Sequence, residues 1–282
     1  MDLKGKVAIV TGASRGVGAA IAVALAEAGA AVACAARSTE SAPQRTEGTL
    51  ERTVARIEAV GGRGLAVPTN LADRDAVTAM VETTAAHFGG VDILVNNAAV
   101  TFVGDLDQPI HRHDLTFAVN YWAPLVAILA ARPHMARRGG GAILNVSSLA
   151  AMMPIPDNLA YGTSKIALEH LTMDAARQLH PERIAVNCFR IDTSVASEGF
   201  IANTPGADRS DWEPCEVAAE GVIWMLRQPL SYTGRREGMV SLRAREGIMP
   251  SRAAQPSRRP PPPTQLFDGL YEAPPSLYRE PY

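Results

Sequence analysis

The sequence predicts a doubly wound α/β fold, in which helices cover both faces of a parallel sheet in three layers. Two observations carry that expectation: short apolar runs alternate with longer amphipathic ones, and the short runs are apolar throughout instead of alternating. Continuous apolar strands belong to sheets buried on both faces, and strand–helix alternation with right-handed crossovers makes such a sheet parallel.

Strands are expected at 6–11, 30–36, 64–70, 91–98, 141–148 and 183–189, all rich in Val, Ile and Ala and bounded by Gly or Asn. Helices are expected at 17–28, 47–60, 74–88, 114–135, 160–179 and 215–226, with a short apolar run at 238–242 closing the pattern. Asp73 is placed to cap the third helix. Residues 1–249 read as one domain. Residues 250–282 read as a tail rich in Pro, Ser and Arg, with unbroken proline at 260–263. The tail is expected to be disordered, or to form an extended arm that buries Leu266, Phe267, Leu270, Tyr271, Leu277 and Tyr278 on a neighbouring subunit or over the active site.

Composition narrows the function classes. The 282 residues are 47% hydrophobic and 20% charged, and the net charge of -2 gives no global field for nucleic acid or an anionic membrane. No apolar run approaches the ~20 residues of a membrane span. The first strand-like run starts at Lys6, with no basic n-region and no small-residue cleavage site before it, so no signal peptide is expected. Cys34, Cys188 and Cys215 are odd in number and widely spaced, which suits buried thiols in a reducing, cytoplasmic setting. No His/Cys/Asp cluster has metal-ligand spacing. His111 and His113 are expected on a solvent-facing loop.

The first strand runs into Thr11-Gly12-Ala13-Ser14-Arg15-Gly16-Val17-Gly18, followed by an Ala-rich helix. Glycines here let the backbone turn tightly and approach a pyrophosphate, while the helix N-terminus offers free N–H groups and partial positive charge. The TGxxxGxG spacing resembles that of the short-chain dehydrogenase/reductase family, and the resemblance runs through most of residues 1–245. It implies a Rossmann fold and a nicotinamide dinucleotide. The second strand ends Cys34-Ala35-Ala36-Arg37-Ser38, without the acid that would grip a ribose diol and repel a 2′-phosphate. Arg37, with Arg15 in the turn, favours NADP(H) over NAD(H). The resemblance also places Ser14, Val17, Asn70, Leu71, Asn97, Ala98 and Ala99 against the cofactor. Asn70 stands where the family usually carries Asp, and Asn96-Asn97-Ala98-Ala99 resembles its NNAG motif with the glycine replaced.

Tyr161-Gly162-Thr163-Ser164-Lys165 puts a phenol and an ammonium on one helical face, where the cation favours phenolate. Ser148, thirteen residues before Tyr161, ends a strand and can steady a substrate oxygen. Ser147 is the alternative, since alternation points only one of the two into a given cleft. Asn120 matches the family's fourth catalytic position, where a backbone carbonyl holds a relay water. Together these imply hydride transfer between the nicotinamide and a carbonyl or secondary alcohol, with Tyr161 as general acid/base and Lys165 also binding the nicotinamide ribose.

After the sixth strand the family's Pro-Gly turn is replaced by Ile191-Asp192, and Thr193 or Ser194 is left to contact the carboxamide. Residues 196–214, with Phe200, Ile201 and Trp212, are expected to form a substrate lid. Arg190 and Asp192 are expected to form a surface salt bridge, the alternative being recognition of an acidic substrate. The altered turn and the tail also admit a non-catalytic NADP(H)-binding regulator. The resemblance implies a homodimer or homotetramer, packed through the small residues Ala127, Ala130, Ala131, Ala167, Ala175 and Ala176 of two long helices.

Overall fold

The computed structural model describes residues 1–44 and 46–255. The strands β1 (Val7–Thr11), β2 (Ala31–Ala36), β3 (Arg63–Pro68), β4 (Ile93–Asn96), β5 (Gly141–Ser148), β6 (Ile184–Ile191) and β7 (Arg236–Gly238) form one sheet in the order β3-β2-β1-β4-β5-β6-β7. Every pairing is parallel. The order reverses between β1 and β4, and a crevice opens there at the carboxyl ends of the strands, the place where doubly wound sheets bind ligands.

Helices α1 (Gly16–Glu27), α2 (Leu50–Ala59), α8 (Cys215–Arg227) and α9 (Met239–Glu246) bury their apolar residues on one face. Helices α3 (Arg74–Phe88), α5 (Ala123–Arg137) and α6 (Leu159–Leu179) cover the other. β1 and β2 are buried at every position, as their unbroken apolar sequences require. The Asp73 carboxylate accepts from the N–H groups of Asp75 and Ala76, capping α3 as expected.

Several boundaries differ from expectation. β3 ends at Pro68, after which the Thr69 N–H makes a last bond to the Ala36 carbonyl, so Asn70 lies beyond the strand. β4 is shorter than 91–98, and β6 runs on to Ile191. The second helix starts at Leu50, where Thr49 caps it by accepting from the Arg52 N–H, not at residue 47. The run at 238–242 is the end of β7 followed by α9.

The helix expected from 114 begins at Ile110 with α4 (Ile110–Phe117), so His111 and His113 are helical and not on a loop. A π-helical turn, Ala118–Trp122, joins α4 to α5. The continuous run Ile110–Arg137 is long and apolar enough by length and composition to cross a bilayer, contrary to the reading of the sequence. Here it lies on the sheet, burying Ala127, Ile128, Ala131 and Met135. Four of the small residues assigned to a subunit contact are corrected too: Ala127, Ala131, Ala175 and Ala176 face the core, and the outward positions include Leu129 and Met173.

At the start of the tail, Arg252 donates its backbone N–H to Glu213 and Gln255 donates to the Ser210 carbonyl. The proline run and the six apolar arm residues lie outside the described residues.

Candidate active site

A cavity of about 1650 Å³ runs along the carboxyl ends of the strands, from the glycine turn after β1 to the segments around β5 and α6. Its glycine end is shaped by the absence of side chains. Gly12 and Gly16 have positive φ, 69° and 57°. A Cβ on Gly18 would lie 2.2 Å from the Gly12 carbonyl oxygen, and one on Gly12 would lie 2.9 Å from the Ala98 Cα. Asn97 donates its side-chain amide to the Thr11 carbonyl, and Thr11 Oγ1 accepts from the N–H groups of Asn97 and Ala98. The end of β4 is thereby tied to the end of β1. Deeper in the sheet, Asn96 donates to Asn145, and Asn145 to Thr172, so Asn96 is structural.

The turn and the start of α1 fit a pyrophosphate, because the glycines leave the backbone N–H groups of the helix N-terminus open to the crevice. Ser14, Arg15, Val17, Arg37, Asn70, Leu71, Asn97, Ala98, Ala99 and Thr193 all line the same cavity. Arg15 donates to the carbonyls of Glu47 and Gly48, so it pins the 37–49 segment beside the glycine turn. Burial pushes the Arg15 guanidinium below its ordinary pKa; Glu198 opposes that and the charge of Arg37 adds to it. Two cations close enough to repel one another form a suitable cradle for an anion. Asn70 is exposed and its Oδ1 accepts from the Ala72 N–H. The sequence reading missed Gln44 and Thr46, which also line this end. Gly48, at φ 107°, was the available signal that the chain folds back there.

At the other end, Ser148 caps the short 3₁₀ turn Leu149–Ala151 by accepting from the Ala150 N–H, and its hydroxyl lies beside the Tyr161 phenol. Ser147 is buried; its hydroxyl makes no hydrogen bond of normal geometry among the described residues and has the Cys188 thiol beside it. Lys165 is 2% exposed, donates to the Val146 carbonyl at 2.8 Å, and holds its Nζ 5.5 Å from the Tyr161 ring centroid. Burial lowers its pKa to about 8, partly opposed by Cys188 and Glu169. Burial also raises the Tyr161 pKa, against the lowering effect of Ser148.

Asn120 lies within the π-helical turn and does not line the cavity. Its Oδ1 accepts from the Val100 N–H, and its Nδ2 donates to the Val100 carbonyl and Ser164 Oγ. It thus clamps the chain after β4 to α6, close to Tyr161, whose carbonyl accepts from Ser164 Oγ.

The surface salt bridge between Arg190 and Asp192 is corrected. Arg190 is buried and makes a two-pronged pair with Glu169 on α6, at 2.9 and 2.6 Å. Asp192 is buried as well, and its carboxylate accepts from the Val240 N–H at the start of α9. A carboxylate capping the next helix thus stands in the altered turn, which has no positive φ. Beyond it, Ser197 caps the short helix α7 (Glu198–Asn203). Phe200 of α7 stacks on Trp212 at 4.6 Å, joining the two ends of the expected lid segment. A Cβ on Gly16 would meet the Ser197 Cβ at 3.1 Å, so the base of that segment rests on the glycine turn.

A model of the short chain dehydrogenase family matches residues 6–197. Hydroxysteroid dehydrogenase-like protein 2 of Pongo abelii is 32% identical over 250 residues, covering 87% of this chain and 59% of that protein. The chain spans about three-fifths of the length of these relatives. A putative dehydrogenase from Xanthomonas campestris superposes with a TM-score of 0.82 at 31% identity, covering 93% of this chain and 98% of the other. A metagenomic short-chain oxidoreductase, solved in complex with NADP, superposes at 0.69 and 32% identity, covering 84% and 96%.

Proposed function

The chain belongs to the short-chain dehydrogenase family, and from that premise we propose an NADP(H)-dependent oxidoreductase that interconverts a carbonyl compound and its secondary alcohol. What carries the reading is a single continuous cavity that joins the bare glycine turn to Ser148, Tyr161 and Lys165. A relative of the same fold holds NADP. Arg37 and Arg15 are the cations suited to the 2′-phosphate, and the backbone of residues 12–18 is suited to the pyrophosphate.

The dinucleotide, when bound, supplies or accepts the hydride. In reduction, Tyr161 gives its phenol proton to the carbonyl oxygen, and burial keeps that proton in place beforehand. Ser148 donates to the same oxygen as negative charge develops on it. Lys165 holds a charge beside the phenol, stabilises the phenolate left by proton transfer, and reaches the nicotinamide ribose. Asn120 keeps the chain after β4 and the start of α6 at a fixed separation, which maintains the proton relay. Oxidation runs these roles in reverse. A homodimer or homotetramer, formed through outward residues such as Leu129 and Met173, is part of the proposal and is tested by sedimentation.

The cofactor assignment is tested by titrating the protein with NADPH and with NADH. NADPH is expected to bind at least about tenfold tighter, and Arg37→Ala to erase that preference by removing a charge-assisted contact. Equal affinities in the unaltered protein would remove the role given to Arg37.

A further inference from the structure

We propose that the substrate end of the cavity takes an uncharged carbonyl compound with a bulky apolar body and discriminates against anionic substrates. The inference rests on the reading of Ser148 and Tyr161 as the reacting end, and it deepens that reading by naming a chemical class.

The charged side chains of the cavity wall lie elsewhere or are engaged. Arg15 and Arg37 stand at the far end, after β1 and β2. Asp192 is spent on the N-terminus of α9, and Lys165 is held by the Val146 carbonyl. The segments that flank Ser148 and Tyr161 are 100–102, 115–119, 149–158 and 199–203. Among the described residues, they contribute no Lys, Arg, His, Asp or Glu side chain to the wall. They contribute Phe102, Leu115, Val119, Met153, Ile155 and Phe200 instead. Arg112 is close by, over the Phe102 ring at 5.4 Å from its centroid, but is not part of the wall.

The polar groups of this end are largely satisfied within the protein. Asn158 donates to the Pro156 carbonyl and accepts from Thr101 Oγ1. Gln108, outside the wall, donates to the Phe102 carbonyl, while its buried Oε1 has no partner among the described residues. A carboxylate or phosphate entering here would give up water and find no cation in these segments to replace it, the nearest charge being that of Lys165 beside the phenol. An apolar body would release water from apolar wall and lose nothing. Two of the wall residues, Met153 and Phe200, are each 40% exposed, and Phe200 is braced by its stack on Trp212. An apolar substrate longer than the inner cavity would therefore still be flanked by apolar surface where it leaves.

The test is a matched series: a medium-chain methyl ketone, the same ketone carrying a carboxylate at its far end, and the methyl ester of that acid. kcat/KM is measured for each with the cofactor-saturated protein. The ketone and the ester are expected to exceed the carboxylate by at least about tenfold. Met153→Lys is expected to raise the carboxylate's kcat/KM several-fold relative to the ketone, by supplying the missing cation. The same ranking is read by calorimetry on cofactor-loaded Tyr161→Phe protein, which reports on the cavity whether or not hydride transfer occurs. A failure of the proposed chemistry and a failure of the proposed substrate class are therefore separate results. A carboxylate bound and turned over as well as the neutral ketone would overturn the inference, as would a Met153→Lys protein with an unchanged ranking.

Discussion

The two ends of the cavity are built by opposite means. The glycine end owes its shape to missing side chains: Gly18 sits where a Cβ would collide with the Gly12 backbone, and one on Gly12 would meet the Ala98 backbone. The catalytic end owes its shape to side chains that hold one another. Ser148 is held by the Ala150 N–H beside the Tyr161 phenol, Lys165 by the Val146 carbonyl, and Asn120 by both Val100 and Ser164. The first arrangement tolerates no addition and the second no removal. Binding a large cofactor and moving one proton thus place contrary demands on neighbouring strand ends of the same sheet.

That contrast can be broken most severely at the serine pair. Ser148→Ala is expected to lower kcat by about 10²–10³-fold, the usual scale for losing a donor to a developing oxyanion. Ser147→Ala is expected to leave kcat within about twofold, because no normal hydrogen bond is lost. Equal losses in the two variants would reverse the assignment. At the opposite end, Gly18→Ala adds one carbon where the Gly12 oxygen is only 2.2 Å away. It is expected to cost about 1–3 kcal/mol of stability, as overpacking does, and to weaken cofactor binding about tenfold or more through displacement of the turn. A thermal melt and a fluorescence titration read the two effects, and unchanged cofactor affinity would show that this turn does not bind the dinucleotide.

The smallest effect sharpens the role of Lys165. Its pKa is lowered to about 8, so it is charged below that pH and neutral above it. Tyr161 is shifted upward and stays protonated through the same range. Reductive kcat/KM is expected to fall several-fold as pH rises through about 8. A pH profile flat through that range would mean that the lysine charge does no work in reduction.

Much of this was legible in the sequence because it is local. The glycine turn is one uninterrupted segment, and Tyr161 and Lys165 share a helical face by spacing alone. The strands were legible from their apolar continuity. What escaped depends on packing across elements. Arg190 and Asp192 are near neighbours in sequence, which suggested that they pair. In the fold Arg190 meets Glu169 on α6, and Asp192 meets the start of α9. The π-helical turn at Asn120 leaves the apolar pattern of a long helix intact, so periodicity does not reveal it. Ala127 and Ala131, or Ala175 and Ala176, can be seen to lie near one another on a helix, but helical spacing does not say whether that face meets the sheet or a second subunit.

The central claim is that Tyr161 supplies the proton while the glycine end independently binds the cofactor. NADPH oxidation with a medium-chain ketone, measured for the unaltered protein and for Tyr161→Phe, tests it most directly. The account predicts that Tyr161→Phe loses at least about 100-fold in kcat while its NADPH affinity and melting temperature stay close to those of the parent. A Tyr161→Phe protein that reduces the ketone at the parent rate would contradict it.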